Sequence, residues 1–455
     1  MNRGGFSLYS KSCGQSLSNE DRISELPEAL LLQILSLLPT KKVVAMSVLS
    51  KRWRSLWKML PRLKFDDWMF PDNVNRCLLS HQASFLQSLH LVIDYDFVSH
   101  MHTGILMGIA FGRHIRELVL YVNGFQESFT FPLSLCNCES LETLTLGHNV
   151  LIDVPSPVFL KSLRTLHLDG VEYTDDESVV NLLSGCISLE NLVVHRVIQA
   201  DVTTFTIAVP SLKRLTLTTE FDDDEDSVYV INAPSLKYLK ILGDKAYLIE
   251  NSPELVEVSL TDRQVIDGDG YPITSYVENL LRSLTSVKRM SLKISSSLEI
   301  KFPTGSIFYQ LVSLELYTNK AEWWNLLVLM LDSSPKLQVL KLNGKLSGEN
   351  NHLASMNWDQ PKNIPGCLLF NLETFIWKGC KRIGEDEKEV AKYILRNTNR
   401  LKRATFTREI YEENNSQDMF ENLEMVEELE SVVRASKSCK LVFESTLWSL
   451  SNYDV

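Results

Sequence analysis

The sequence predicts an α/β fold: three short helices, then a long solenoid of repeated strands, then a last α/β segment closing its far end. Three observations predict it. A six-residue pattern, apolar-x-x-apolar-x-apolar, recurs from about residue 115 onward. A very apolar block punctuated by prolines precedes it. The chain is 455 residues long, beyond the roughly 250 to 300 residues at which a single core stops growing, so several domains or an elongated array are expected.

The hexads are IRELVL at 115, LETLTL at 141, LRTLHL at 163, LENLVV at 189, LKRLTL at 212, LKYLKI at 236, LVEVSL at 255, VKRMSL at 287, LVSLEL at 311 and LQVLKL at 337. Their starts lie 26, 22, 26, 23, 24, 19, 32, 24 and 26 residues apart. This is leucine-rich-repeat spacing. In LRTLHL, Leu166 and Leu168 alternate inward on a short strand while Leu163 enters the core from the preceding turn. One such strand cannot bury its apolar side alone, so stacked neighbours must do it. Between strands, DDESVVNLLSGC (175 to 186) and TSYVENLLRSL (274 to 284) carry helical spacing. Asp175 or Asp176 is the expected N-cap of the first, and Ser275 with Glu278 a capping box for the second. Asp222 to Asp226 reads as a solvated acidic loop.

The same alternation points every second side chain outward. A central row of Val119, Thr145, His167, Val193, Thr216, Lys240, Ser259, Ser291, Glu315 and Lys341 is expected, flanked by Tyr121, Asp169, His195, Arg214, Tyr238, Arg289 and Tyr317. Ten strands about 4.8 Å apart predict an arc roughly 45 to 50 Å long. Such a face suits a protein better than a metabolite. Tyr121, His167, His195, Arg214, Tyr238, Lys240, Arg289 and Tyr317 are the candidate target-binding residues, although a solvated strand residue is the simpler reading at any one of them.

Near the N-terminus, LPEALLLQILSLL (26 to 38) holds ten apolar residues among thirteen, more than one buried face needs. Pro27 suits a first helical position, Pro39 ends that helix, Thr40 can cap a second, and Ser50 can cap a third that ends before Pro61. About forty residues make a marginal core, so the surplus apolar surface predicts a partner that covers it. The run LPEALLLQILSLLPTKKVVAMSVLSKRWRSLW resembles an F-box. That resemblance carries Leu26-Pro27, Ile34-Leu35, Leu38, the run Val48 to Trp53, and Trp57 at family spacing. It implies docking onto the Skp-type adaptor of cullin-based ubiquitin ligases through residues among Leu26, Pro27, Leu30, Ile34, Leu38, Val48, Trp53 and Trp57. Trp53 and Trp57 are equally suited to interface or core.

Toward the C-terminus, CLLFNLETFIWKGCKRIGEDEKEVAKYILRNTNRLKRATF (367 to 406) is similar to the FBD domain that follows leucine-rich repeats in a large plant F-box family. AEWWNLLVLMLDSSPKLQVLKL (321 to 342), Trp358, Pro361 and Pro365 fit it too. Gly366 departs from it, since the family more often has an acidic residue there. Physically, LETFIW and LKRATF read as two more strands, Asp386 and Glu389 as the start of a helix burying Val390, Tyr393 and Ile394, MFENLEMVEELESVV (419 to 433) as amphipathic, and CKLVF (439 to 443) as a last strand. The whole suits a C-terminal cap. The expected organisation is a disordered N-terminus over 1–20, the F-box over 21–66, repeats over 67–345, a connecting loop over 346–364 and the FBD domain over 365–455.

Composition narrows the function. A net charge of −11 argues against nucleic acid, whose binders show a basic face; Lys41, Lys42, Lys51, Arg52, Arg54 and Lys58 read as solvated helix faces. Residues 1 to 20 lack the apolar core of a signal peptide, and no apolar run is long enough for a membrane span, so an intracellular protein with reduced cysteines is expected, in nucleus or cytoplasm. The sequon at Asn414 is then a chance match. His100 with His102 and Cys136 with Cys138 lack the second pair of a zinc site. DGDG at 267 to 270 lacks the later ligands of a calcium loop. Nucleophile-elbow, phosphate-loop, HExxH and GxGxxG motifs are absent, so neither a cofactor nor a catalytic residue is expected. Three readings remain: a ubiquitin-ligase receptor linked through its adaptor to cullin and RING subunits and holding a target on the arc, a repeat interaction module outside any ligase, and an enzyme with a cryptic pocket in the arc.

Overall fold

In the computed structural model the described residues are 23, 25–65, 71–94, 108, 112–123, 128–197, 202–219, 227–243, 245–261, 274–294, 307–318, 323–344, 358, 360–379, 385–410 and 425–447. Their framework is one fifteen-stranded parallel sheet whose strands follow chain order. All ten hexads supply strands to it, from Glu117–Asn123 through Val339–Asn343. The inward leucines are buried throughout, as with Leu144 and Leu146, Leu166 and Leu168, and Leu314 and Leu316. The turn leucines that begin the hexads, Leu163, Leu189, Leu212 and Leu236 among them, are buried with them.

The sheet is longer than ten strands at both ends. Arg62–Phe65 pairs with Ser88–Asp94, which pairs with Glu117–Asn123. Both extra strands carry the same hexad, LPRLKF at 60 and LQSLHL at 86, two copies beyond the ten recognised from the sequence. At the other end Thr374–Lys378, Arg403–Ile410 and Lys440–Leu447 continue the sheet in parallel register. Fifteen strands at about 4.8 Å give an arc of roughly 65 to 70 Å, not 45 to 50 Å.

The opposite side of the solenoid is mixed. The helix Asp176–Ser184 forms as expected, with the Asp175 carboxylate accepting from the Ser178 N–H at 2.7 Å. Thr274–Ser283 is helical, while the side chains of the expected capping box lie outside the described residues. Other repeats put short strands there: Thr204–Ala208, Val228–Asn232 and Ala246–Asn251 form one three-stranded parallel sheet, and Phe129–Thr130, Val150–Ile152 and Glu172–Tyr173 another. Short repeats favour the strands of the first of these sheets. From 189 to 255 the hexads are only 19 to 24 residues apart, and an extended chain spans the gap with fewer residues than a helix rising 1.5 Å per residue. Here Tyr173, Phe205, Tyr229 and Tyr247 contact one another in sequence, edge-on, tilted and stacked in turn, with ring centroids 5.5, 5.5 and 5.2 Å apart. The buried Arg196 guanidinium lies over Phe205 and Tyr229 at 5.4 and 5.6 Å and donates to the Val202 carbonyl.

The N-terminal block has its three helices, Glu28–Leu35 (α1), Thr40–Ala45 (α2) and Lys51–Leu56 (α3), the last two each extended by a 3-10 turn. Ser50 caps α3 by accepting from the Trp53 N–H. Two details differ from expectation. Pro27 and Pro39 occupy the N-cap positions themselves, held extended by their fixed φ. Thr40 is therefore inside α2, and its buried hydroxyl accepts from the Lys64 N–H at 2.7 Å. That bond satisfies one edge donor of the first sheet strand and sets α2 against an edge that would otherwise invite pairing.

The joint between block and solenoid is polar and buried. His81 Nε2 bonds to the Leu60 carbonyl at 2.8 Å while its Nδ1 accepts from Arg113 at 2.5 Å. Arg113 also donates to the His81 carbonyl. At the far end an aromatic run, Trp323, Trp377, Phe375, Phe406 and Phe443, passes from the helix Trp323–Ser333 to the last strand with centroids 5.5 to 6.1 Å apart. The helix Glu385–Asn397 buries Val390, Tyr393 and Ile394 as expected, and Trp358 meets Tyr393 edge-on. The Lys392 ammonium joins Glu389 to Glu428, pinning the helical residues 425–430 against it.

Candidate interaction surfaces

Helix α1 divides its apolar residues between two faces. Leu31 and Leu35 are buried with Val43, Leu56 and Leu60 in the core of the block. Leu30 and Ile34 are exposed, and Leu37, which continues their i, i+4, i+7 spacing, is 81% exposed. Ile34 and Leu37 line an open groove of about 770 Å³ whose other wall includes Met59. A second apolar group, Val48 and Leu49, stands out from the turn after α2, Val48 83% exposed. Arg52 donates to the Leu26 carbonyl at 2.6 Å and fixes how the chain enters α1.

The eight candidate docking residues therefore separate. Pro27, Leu30, Ile34 and Val48 are exposed. Leu26, Leu38 and Trp53 are half-buried against the core. Trp57 is only 8% exposed and belongs to the core; the 3-10 turn Trp57–Met59 faces it inward. Leu37, Leu49 and Met59 are exposed apolar residues beside them that sequence reasoning did not single out. Their signal was the surplus itself: once Leu31 and Leu35 fill the core, the remaining apolar residues have nowhere else to go.

On the concave face the strand register fixes three rows. The central row is the expected one, Val119 opposite Thr145, then His167, Val193, Thr216, Lys240, Ser259, Ser291, Glu315 and Lys341. The flanking residues fall on two opposite sides of it. Arg214, Tyr238 and Arg289 share the row at the strand starts, with Glu257 between the last two. Tyr121, Asp169, His195 and Tyr317 lie in the row toward the strand ends.

Three neighbourhoods result. Tyr121, His167 and His195 surround Asp169, whose carboxylate bonds to His195 Nδ1 at 2.7 Å. Burial and the nearby Asp169 push the Tyr121 hydroxyl up, and burial lowers His167 against the opposing pull of Asp169. The Tyr121 ring lies flat on Gly147, where any Cβ would collide with it, and 5.3 Å from the His148 ring. Arg214 stacks over Tyr238 at 5.5 Å, one strand from Lys240, and Arg289 bonds to Glu257 at 2.7 Å. Tyr317 stands apart from the other seven, under the Lys293 ammonium at 5.6 Å; burial and then Glu315 raise its hydroxyl, partly offset by Asn343. Sequence reasoning did not single out Lys293 or Asn343, which bonds to Glu315 at 2.5 Å. The row pairing places both, but only once the register is known.

Among the described residues no group of three or more His, Cys, Asp or Glu could hold a metal, and no helix is long and apolar enough to cross a membrane. Cys136 and Cys138 are buried free thiols. His100, His102, residues 222–226, DGDG and Asn414 lie outside the described residues.

A parallel repeat sheet headed by three helices with exposed apolar residues is the architecture of a leucine-rich-repeat protein with an N-terminal helical domain. Family comparison matches three segments of the chain. Residues 23–65 match the F-box domain, 109–263 the LRR repeats of the FBD-associated F-box protein At5g56370 type, and 360–406 the FBD domain. F-box/FBD/LRR-repeat protein At3g26920 of Arabidopsis thaliana is 56% identical over 445 residues, 95% of this chain and 98% of the relative. F-box/FBD/LRR-repeat protein At3g52680 of the same plant is 50% identical over 443 residues, 93% of each chain. The chain belongs to the plant F-box/FBD/LRR-repeat family.

Proposed function

We propose that the protein is a substrate-receptor subunit of a Skp-cullin-F-box ubiquitin ligase. Its F-box docks a Skp-type adaptor, and through it the cullin and RING subunits, while the concave face holds a target protein. The chain itself is non-catalytic: it raises the effective concentration of the target's lysines near a ubiquitin-conjugating enzyme carried by the other subunits. The observation that carries this reading is the exposure of Leu30, Ile34, Leu37 and Val48 beside a groove, on a block whose core is already filled. Work in the nucleus or the cytoplasm fits the same reading.

Co-purification with a plant Skp-type adaptor tests it. The double variant Ile34→Asp/Leu37→Asp is expected to keep its circular dichroism spectrum and lose at least tenfold in adaptor affinity, because both side chains are exposed before binding. Leu31→Ala should instead lower stability by about 2 to 5 kcal/mol. Absence of adaptor binding by the natural chain, or undiminished binding by the folded double variant, overturns the proposal.

A further inference from the structure

Charge on the concave face is unevenly distributed. The first strand, beside the helical block, turns Arg62 and Lys64 outward; in the strands Glu117–Asn123, Thr143–His148, Thr165–Asp169 and Asn191–Arg196, the outward positions carry two carboxylates, Glu117 and Asp169, and no Lys or Arg. From Arg214–Thr219 to Lys440–Leu447 the outward positions carry eight Lys or Arg against three Glu among the described side chains. Three of the cations are matched: Arg289 with Glu257 at 2.7 Å, Lys341 with Glu315 at 3.7 Å and Arg403 with Glu444 at 3.3 Å. The other five, Arg214, Lys240, Lys293, Lys378 and Lys440, have no carboxylate partner among the described residues. Two of the five are held in place over the face, Arg214 on Tyr238 and Lys293 on Tyr317. A cationic strip on a chain of net charge −11 is a local feature that the total charge conceals, and it attracts the opposite sign.

We infer that this strip docks an acidic, Asp/Glu-rich segment of the target, lying across the strands. The inference rests on the reading of the concave face as the target-binding surface and adds the chemistry of what it takes. Nine strands about 4.8 Å apart span about 40 Å, the length of about twelve extended residues. The occupant is a carboxylate-bearing peptide because separate ammonium groups spaced one to several strands apart match side chains that recur along an extended chain.

The test is fluorescence anisotropy of the full chain with a labelled (Glu-Ser)6 dodecapeptide, beside (Gln-Ser)6 and single-stranded dT12. The acidic peptide is expected to bind at least tenfold more tightly than the neutral one in low salt and to weaken several-fold as salt is raised. Lys240→Glu/Lys378→Glu, at two exposed positions, should cost at least tenfold, and the matched control Lys51→Glu/Arg54→Glu on α3 less than twofold. Equal affinity for acidic and neutral peptides, insensitivity to the strip reversal, or tighter binding of dT12 each overturns the inference. Adaptor binding is measured on the same preparations. A chain that holds the adaptor but ignores the peptide sinks this inference alone, whereas one that takes the peptide but not the adaptor sinks the ligase reading and leaves the strip.

Discussion

His81 is kept neutral by its surroundings. Arg113 can only donate, so it bonds to the unprotonated Nδ1, and the proton sits on Nε2 facing the Leu60 carbonyl. Burial lowers its pKa first, the Arg113 charge adds to that, and the Leu60 bond opposes it. A histidine with a depressed folded pKa binds fewer protons folded than unfolded below the ordinary value of 6.5. Its contribution is therefore complete above pH 6.5 and is lost as pH falls toward the folded pKa. Denaturation at pH 7 and pH 5.5 should show a larger drop for the natural chain than for His81→Gln, whose amide can serve both partners without titrating. Equal drops would remove His81 as the source of the acid sensitivity.

The ladder of Tyr173, Phe205, Tyr229 and Tyr247 is the main packing device of the strand-built stretch. Phe205 is fully buried in the middle of it, so Phe205→Ala should cost about 3 to 5 kcal/mol in denaturant unfolding. At the helix Gly366–Phe370 the departure from family pattern has a benign cause. A Cβ at Gly366 meets nothing within 4 Å, and an acid there would face the helix N-terminus, so Gly366→Asp should gain about 0.5 to 1 kcal/mol. Legibility followed the same physics. The hexads were readable because two inward leucines plus a turn leucine at fixed offsets signal one geometry. LPRLKF escaped because Pro61 read as the end of a helix and also precedes a strand. TFTIA alternates, but VYVIN and AYLIEN open on four consecutive apolar residues, and none of the three carries a recurring turn residue to anchor it. The surplus of apolar residues in the N-terminal block was legible, but which of them stay exposed was not, since Trp57 is buried and Ile34 is exposed.

The sheet runs without interruption from the helical block to the last strand. Val339–Asn343 pairs directly with Thr374–Lys378 across the connecting segment, and Trp323 packs edge-on against Trp377. The C-terminal segment therefore closes the repeats by extending them. A chain ending at residue 345 would expose the faces of Trp323, Leu340 and Leu342 that are buried in the full protein. It is expected to bind a hydrophobic dye strongly and to be recovered mainly insoluble. A soluble, dye-silent truncation would show that the repeats close themselves.

Hexad starts 19 to 32 residues apart still feed strands that pair one-for-one across the concave face. The variation in length lies between the strands, and none of it disturbs their register in the rows. Insertions and deletions there should accumulate without shifting any outward residue relative to its neighbours. Loss or gain of a whole strand is different, because everything beyond it moves by one rung. The face is thus free to diversify by single substitutions, while its overall span changes only in whole steps.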